Sequence, residues 1–151
     1  MRLTRSVSYG VGILLQIEGG QKQSPMTAAR IARGCKFPPR FLYRVLRRLV
    51  DAGLLVGTSG PGGGYALART AQRITLYEIV IAVESKPEVP DLPPVCRKYA
   101  PASKLITDLS RRNIDRFLED LERVTLAKLS RLSAGKGGRK PARRRKKTAK
   151  K

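Results

Sequence analysis

The chain has no histidine, two cysteines, and 11 acidic residues among 151. Without histidine it has no Ser/His/Asp or Cys/His nucleophilic arrangement, no imidazole acid or base, and no histidine-dependent zinc site. Most familiar enzyme chemistry is excluded with it, and a non-enzyme is expected. Cys35 and Cys96 are too few for a disulfide framework or a four-thiolate zinc site, which suits a reducing cytosol. No metal site is expected. The apolar run over residues 11–17 is interrupted by Gly12 and Gln16 and lacks a small-residue cleavage site, so it does not read as a secretory signal. No run approaches the roughly 20 apolar residues that span a membrane. A cytoplasmic, nucleoid-associated protein with no membrane partner is the expectation.

Positive charge is what the chain has in excess. Its 32 lysines and arginines give a net charge of +21, which points to a polyanionic partner, nucleic acid first. The charge is positioned rather than spread: residues 1–73 carry an excess of +10, residues 74–135 of +1, and residues 136–151 of +10. Two basic elements therefore flank a nearly neutral middle. From Gly135 the sequence GKGGRKPARRRKKTAKK has no apolar residue larger than alanine. It cannot offset the entropy of ordering, so 135–151 is expected to be a disordered basic tail. The length fits one domain, or a small domain with an arm, and 41% hydrophobic content supports one core.

Helix signals open the chain. Thr4 can cap a helix over 5–18 with an apolar stripe at Val7, Val11, Leu14 and Leu15, stopped by Gly19 and Gly20. Thr27 can cap a short helix over 28–33 that Gly34 ends, and Pro38-Pro39 opens a third over 40–52 that stops at Gly53. On a wheel with Arg40 at 0°, Arg44, Arg47, Arg48 and Tyr43 fall near 40°, 340°, 80° and 300° at about 100° per residue. Phe41, Leu42, Val45, Leu46 and Leu49 occupy roughly 100° to 240°. One face buries while the other presents four guanidiniums and a phenol. A solvated surface helix would pair such charges with acidic neighbours, but only Asp51 is within reach.

Two short runs with apolar alternation, LLVGT and YALAR, flank SGPGGG, which predicts a hairpin over 54–69. Its turn glycines keep no side chain between the backbone amides and a phosphate, or else serve a tight turn needing positive φ. Without a Gly-Lys-Ser/Thr ending the turn is no P-loop. Thr75 with Glu78 forms a capping box for a fourth helix buried through Leu76, Ile79, Val80 and Val83. Five prolines and Cys96 make residues 86–101 irregular. From 102 to about 132 the pattern is helical again, with Ile114, Phe117, Leu121 and Val124 at 3, 4, 3 spacing and Leu118 beside them. Such a length exceeds what a small domain can cover, so these residues are expected to hold a homodimer together.

The fold class expected is mainly α with a small β-hairpin wing. The expected division is a winged helix-turn-helix DNA-binding domain over 1–84, a proline-rich loop over 85–101, a dimerisation helix over 102–134, and the tail. RLTRSVSYGV, FPPRFLYRVLRRLVDAGLL, SGPGGGYALAR, ITLYEIVIAVE and VTLAKL, in that order, resemble the IscR/NsrR-like (Rrf2) bacterial transcription regulators over residues 1 to about 132. The resemblance implies a homodimer whose third helix, 40–52, enters the major groove and whose wing, 57–65, lies along the minor groove of a near-palindromic operator. By position it carries DNA contacts to Arg40, Tyr43 and Arg44 on that helix, to Gly60, Gly63, Gly64 and Tyr65 on the wing, and to Arg2, Thr4 and Tyr9 on the opening segment. Arg47 joins them from the wheel. Arginine makes bidentate contacts to guanine, and tyrosine, threonine and backbone amides suit phosphate.

Two positions depart from the family pattern. Ser59 stands where many members carry an arginine before the wing glycine. Cluster-bearing members have three cysteines in the loop before the long helix, where this chain has only Cys96. No cofactor is therefore expected, and in particular no iron-sulfur cluster; control would fall to a small-molecule or protein effector. Cys96 is the one candidate redox residue, since the cations of Arg97 and Lys98 favour a thiolate, while an ordinary exposed loop cysteine is the alternative. Cys35 reads as a small turn-packing residue. The competing function is a non-specific nucleic-acid packaging or RNA-associated protein driven by the basic tail.

Overall fold

The computed structural model describes residues 3–20, 25–34, 38–84, 88, 93–94 and 96–134. Arg2, Cys35 and the basic tail lie outside the described residues. Helix α1 (Arg5–Gly19) starts on Thr4, whose Oγ1 accepts the Ser6 N–H at 3.1 Å, and ends on Gly20. The expected stripe is only part of its buried surface. Val7 and Leu14 are core, Val11 and Leu15 are half-buried, and Ile13 and Ile17 are enclosed because four other helices pack around α1.

Helix α2 (Ala28–Gly34) follows Thr27, whose Oγ1 accepts the Arg30 N–H at 3.3 Å. Helix α3 (Pro39–Asp51) opens with proline in its first turn, where a missing N–H costs nothing. It closes at Gly53, φ +67°, with Gly53 N–H on the Val50 carbonyl and Leu54 N–H on the Leu49 carbonyl, both 2.9 Å. That pair of bonds is a Schellman closure, and it needs the left-handed residue that glycine supplies.

Strands β1 (Leu55–Thr58) and β2 (Gly64–Leu67) pair antiparallel, from Leu55 opposite Leu67 to Thr58 opposite Gly64. The expected hairpin is present. A third stretch of backbone, with no local signal in the sequence, also pairs with it: Met26 N–H donates to the Tyr65 carbonyl and Tyr65 N–H to the Met26 carbonyl, both at 2.9 Å. The residue before the Thr27 cap is thereby stitched to the wing.

Helix α4 (Leu76–Glu84) starts on the expected capping box. Thr75 N–H donates to Glu78 Oε2 at 2.9 Å, and Glu78 N–H donates to Thr75 Oγ1 at 3.2 Å. Partial burial raises the Glu78 pKa, but the Thr75 backbone bond and the Arg69 guanidinium, 2.7 Å from Oε1, outweigh it and hold the carboxyl below its ordinary value. A lowered folded-state pKa gives stability that is present above the unfolded value and lost as pH falls through the folded one. Thr75→Ala is expected to cost about 1 kcal/mol. Glu78→Gln should destabilise at neutral pH, with the difference from the parent closing as the solution is acidified below the carboxylate range; urea melts along a pH series would check both.

The single long helix expected over 102–134 is in fact two, α5 (Ala100–Glu122) and α6 (Leu126–Ala134). Thr125 accounts for the break. Its Oγ1 accepts the Lys128 N–H at 3.3 Å as the cap of a new helix. Around it the backbone pairs with the entrance to α4, Leu76 N–H on the Val124 carbonyl at 2.7 Å and Leu126 N–H on the Ile74 carbonyl at 2.8 Å. Helix α6 then packs on α1, with Ser130 Oγ donating to Glu18 at 2.6 Å.

Five residues were expected to form a dimer contact, and each of them has packing partners within the chain itself. Leu118 and Leu121 are buried in the core shared by α1, α3 and α4, Ile114 and Phe117 pack against it, and Val124 is half-buried in the bridge. Their periodicity is real, but it marks the inward face of α5. The apolar side chains that α5 leaves more than half exposed are Leu105, Ile106 and Leu109. The boundary between a DNA-binding unit at 1–84 and a separate arm also fails, since Leu126 and Ala127 belong to the common core.

Candidate nucleic-acid interface

Helix α3 has the two faces computed from its sequence. Leu42, Val45, Leu46 and Leu49 are each 2% exposed or less, whereas Arg40, Tyr43, Arg44, Arg47 and Arg48 are exposed. The buried face fixes the helix, and the polar face stands on a support that does not turn. Arg44 lies over the Phe41 ring, its guanidinium carbon 4.5 Å from the centroid, and the Tyr9 ring meets Phe41 edge-on at 4.9 Å. Stacking holds the guanidinium plane while leaving the in-plane N–H donors able to reach outward. Arg47 makes a 3.8 Å contact with Asp51 at 85% exposure, a solvent-screened pair that another anion displaces at little cost.

Arg48 behaves differently from its neighbours. Its Nη1 donates to the Val83 carbonyl in the last turn of α4, so it braces α3 against α4. The wheel placed Arg48 at 80°, next to the buried arc, which was the available signal. Thr4 is similarly engaged, its N–H donating to Glu84 Oε1 at 3.0 Å and its hydroxyl to the same oxygen, so its first roles are cap and tether. Tyr9 is half-buried against the core. Thr4 and Tyr9, like Arg48, thus have structural employment within the chain.

The wing glycines divide by cause. Gly60 and Gly62 have φ of +95° and +77°. Gly63 and Gly64 do not, but a Cβ on Gly63 would come within 2.3 Å of the Thr58 carbonyl oxygen, and on Gly64 within 2.6 Å of Met26 O. Fold alone thus requires all four, and any use of their amides comes in addition. Ser59 is exposed on the turn, and Tyr65 is half-buried. Arg30 and Arg33 on α2, which the sequence reading did not single out, are exposed as well. Cys96 is exposed just before a short 3-10 turn at Arg97–Tyr99. No described helix is long and apolar enough to cross a membrane.

A helix-turn-helix whose second helix buries leucines behind and shows arginines in front, followed by a two-stranded wing, defines a winged-helix protein. The chain belongs to the Rrf2 family: the family model, described as "Iron-dependent Transcriptional regulator", matches residues 3–131. The chain is 34% identical over 84 residues to the HTH-type transcriptional regulator IscR of Xenorhabdus nematophila, covering 56% of this chain and 51% of that protein. It is 33% identical over 84 residues to protein rrf2 of Nitratidesulfovibrio vulgaris, covering 56% of each. The matched segment thus spans about half the length of these relatives. Among solved structures, CymR, the global cysteine regulator of B. subtilis, superposes with a TM-score of 0.68 at 25% identity, over 87% of this chain and 98% of that one.

Iron in the family description calls for ligands, and the residues present do not fit a cysteine-ligated cluster. The sequence has two cysteines and no histidine. Among the described residues no three His, Cys, Asp or Glu side chains converge as metal ligands would, and Cys96 stands alone.

Proposed function

We propose that the protein is a DNA-binding transcription regulator and not an enzyme, acting as a homodimer that reads a near-palindromic operator. The observation that carries this reading is the polar face of α3, where Arg40, Tyr43, Arg44 and Arg47 project from a helix anchored by four buried aliphatic residues. In this reading α3 enters the major groove, where Arg44 and Arg40 offer paired donors to guanine and Tyr43 meets phosphate. The wing follows the minor groove with serine rather than arginine at its tip. A second copy covers Leu105, Ile106 and Leu109, and its α3 engages the other half-site. Regulation proceeds without a bound cluster.

Binding to duplex DNA from the promoter region beside the protein's own gene, and to a scrambled duplex, across a salt series tests the reading. Preference for the promoter fragment should persist as salt rises, and Arg44→Ala should reduce that preference by about 1–3 kcal/mol with a smaller loss on scrambled DNA. Equal loss on both duplexes would instead favour packaging driven by the tail.

A further inference from the structure

The inward face of α5 changes character along its length. Leu121, Leu118, Phe117 and Ile114 supply apolar packing, but two turns toward the N-terminus the same line carries Thr107 and Ser103. Thr107 is 6% exposed, the one buried polar side chain among the described residues. Its hydroxyl has no hydrogen-bond partner among those residues, yet it is not one of the sealed-off orphan atoms, so it opens onto a neighbouring space. That space is a hollow of about 580 Å³ between α5 and the wall made by Pro93 and Pro94. A buried hydroxyl without a partner costs stability unless something answers it.

The rim supplies charge. Lys104 and Arg111 line the hollow seven residues apart, roughly 10 Å along the helix axis, with Asp108 between them on the same flank. None of the three takes part in an ion pair among the described residues. Two cations and one carboxylate around two hydroxyls, with exposed Pro93 and Pro94 on the far side of an open hollow, match a small molecule with a carboxylate, an ammonium and an apolar or short polar remainder.

We infer that the seam between Pro93–Pro94 and α5 is a binding site for a small free amino acid. The carboxylate is held by Lys104 and Arg111, the ammonium by Asp108, and Thr107 completes the hydrogen bonding from the floor. The hollow also lies near the elements that carry α3: α4 packs on α5, and the last turn of α4 receives Arg48 from α3 and Thr4 from the start of α1. Occupancy would bear on the brace behind the recognition helix. That regulatory role rests on the proposed reading as a DNA-binding regulator; ligand binding itself does not.

Thermal shift and calorimetry on the full-length protein without DNA, using each of the twenty amino acids singly, with propionate and ethylamine as probes lacking the amine or the carboxylate, test it. At least one amino acid should raise the melting temperature saturably while propionate and ethylamine do not. Thr107→Val should weaken that binding at least tenfold, as should Lys104→Gln at an exposed position where folding is not at stake. If no amino acid binds, if propionate binds as well as the best amino acid, or if both variants bind like the parent, the site assignment is overturned. Because DNA is absent, loss of operator binding elsewhere leaves this result standing, and a negative result here leaves the DNA-binding reading intact.

Discussion

Replacing Ile106 and Leu109 together by glutamate is expected to give a folded monomer. Both side chains are more than half exposed, so the substitutions remove little that the single chain needs. In a dimer they would be covered. Burying one such side chain contributes about 1.5–3 kcal/mol, and two-fold symmetry makes each substitution act twice. Two half-sites would then no longer be gripped together, and affinity for the promoter fragment should fall by about 10² to 10⁴-fold. Sedimentation gives the mass and a thermal melt the integrity of the fold. Leu121→Glu supplies the contrast, since a charge placed in the shared core should unfold the chain rather than split the dimer. An unchanged dimer mass for the double variant would show that another surface holds the two copies.

The second large effect is expected at the back of the recognition helix. Leu46 is 0% exposed beneath α3, and Leu46→Ala should cost about 2–5 kcal/mol in chemical denaturation through the transfer loss and the cavity it leaves. Arg47, one residue on, points the other way. Arg47→Ala should leave stability within about 0.5 kcal/mol while weakening DNA binding. If Leu46→Ala melts like the parent protein, the packing behind α3 is not what fixes it. Together the pair separates what holds the helix from what it presents.

The sequence made the local elements plain because each is encoded by neighbours. The Thr75–Glu78 box, the proline opening of α3, its glycine closure and the two faces of that helix all depend on residues within two turns of each other. Less legible was anything set by partners distant in the chain. Periodicity alone gave Ile114, Phe117, Leu118 and Leu121 a common face, but cannot say whether that face meets the same molecule or another; the packing of α5 against α4 decides it. Thr125 could have been read as a helix start, yet the apolar helical spacing that continues through it concealed the break. Thr4 looked like a DNA contact, and Arg48 like part of the open polar face of α3, because Glu84 and Val83, the residues that engage them, are 80 and 35 residues away. The Met26–Tyr65 bridge had no local signal at all.

The return of α6 onto α1 closes the chain on itself, with the backbone of 124–126 laced to that of 74–76. Head and arm are therefore not modules that can be melted or severed in turn. Cutting after α4 would strip cover from Ile74, Ile79 and the inner side of α1, so a fragment ending there would lose the very support that aims α3. Heating should produce one cooperative transition, and inheritance of the reading head without its last helix is closed to this chain.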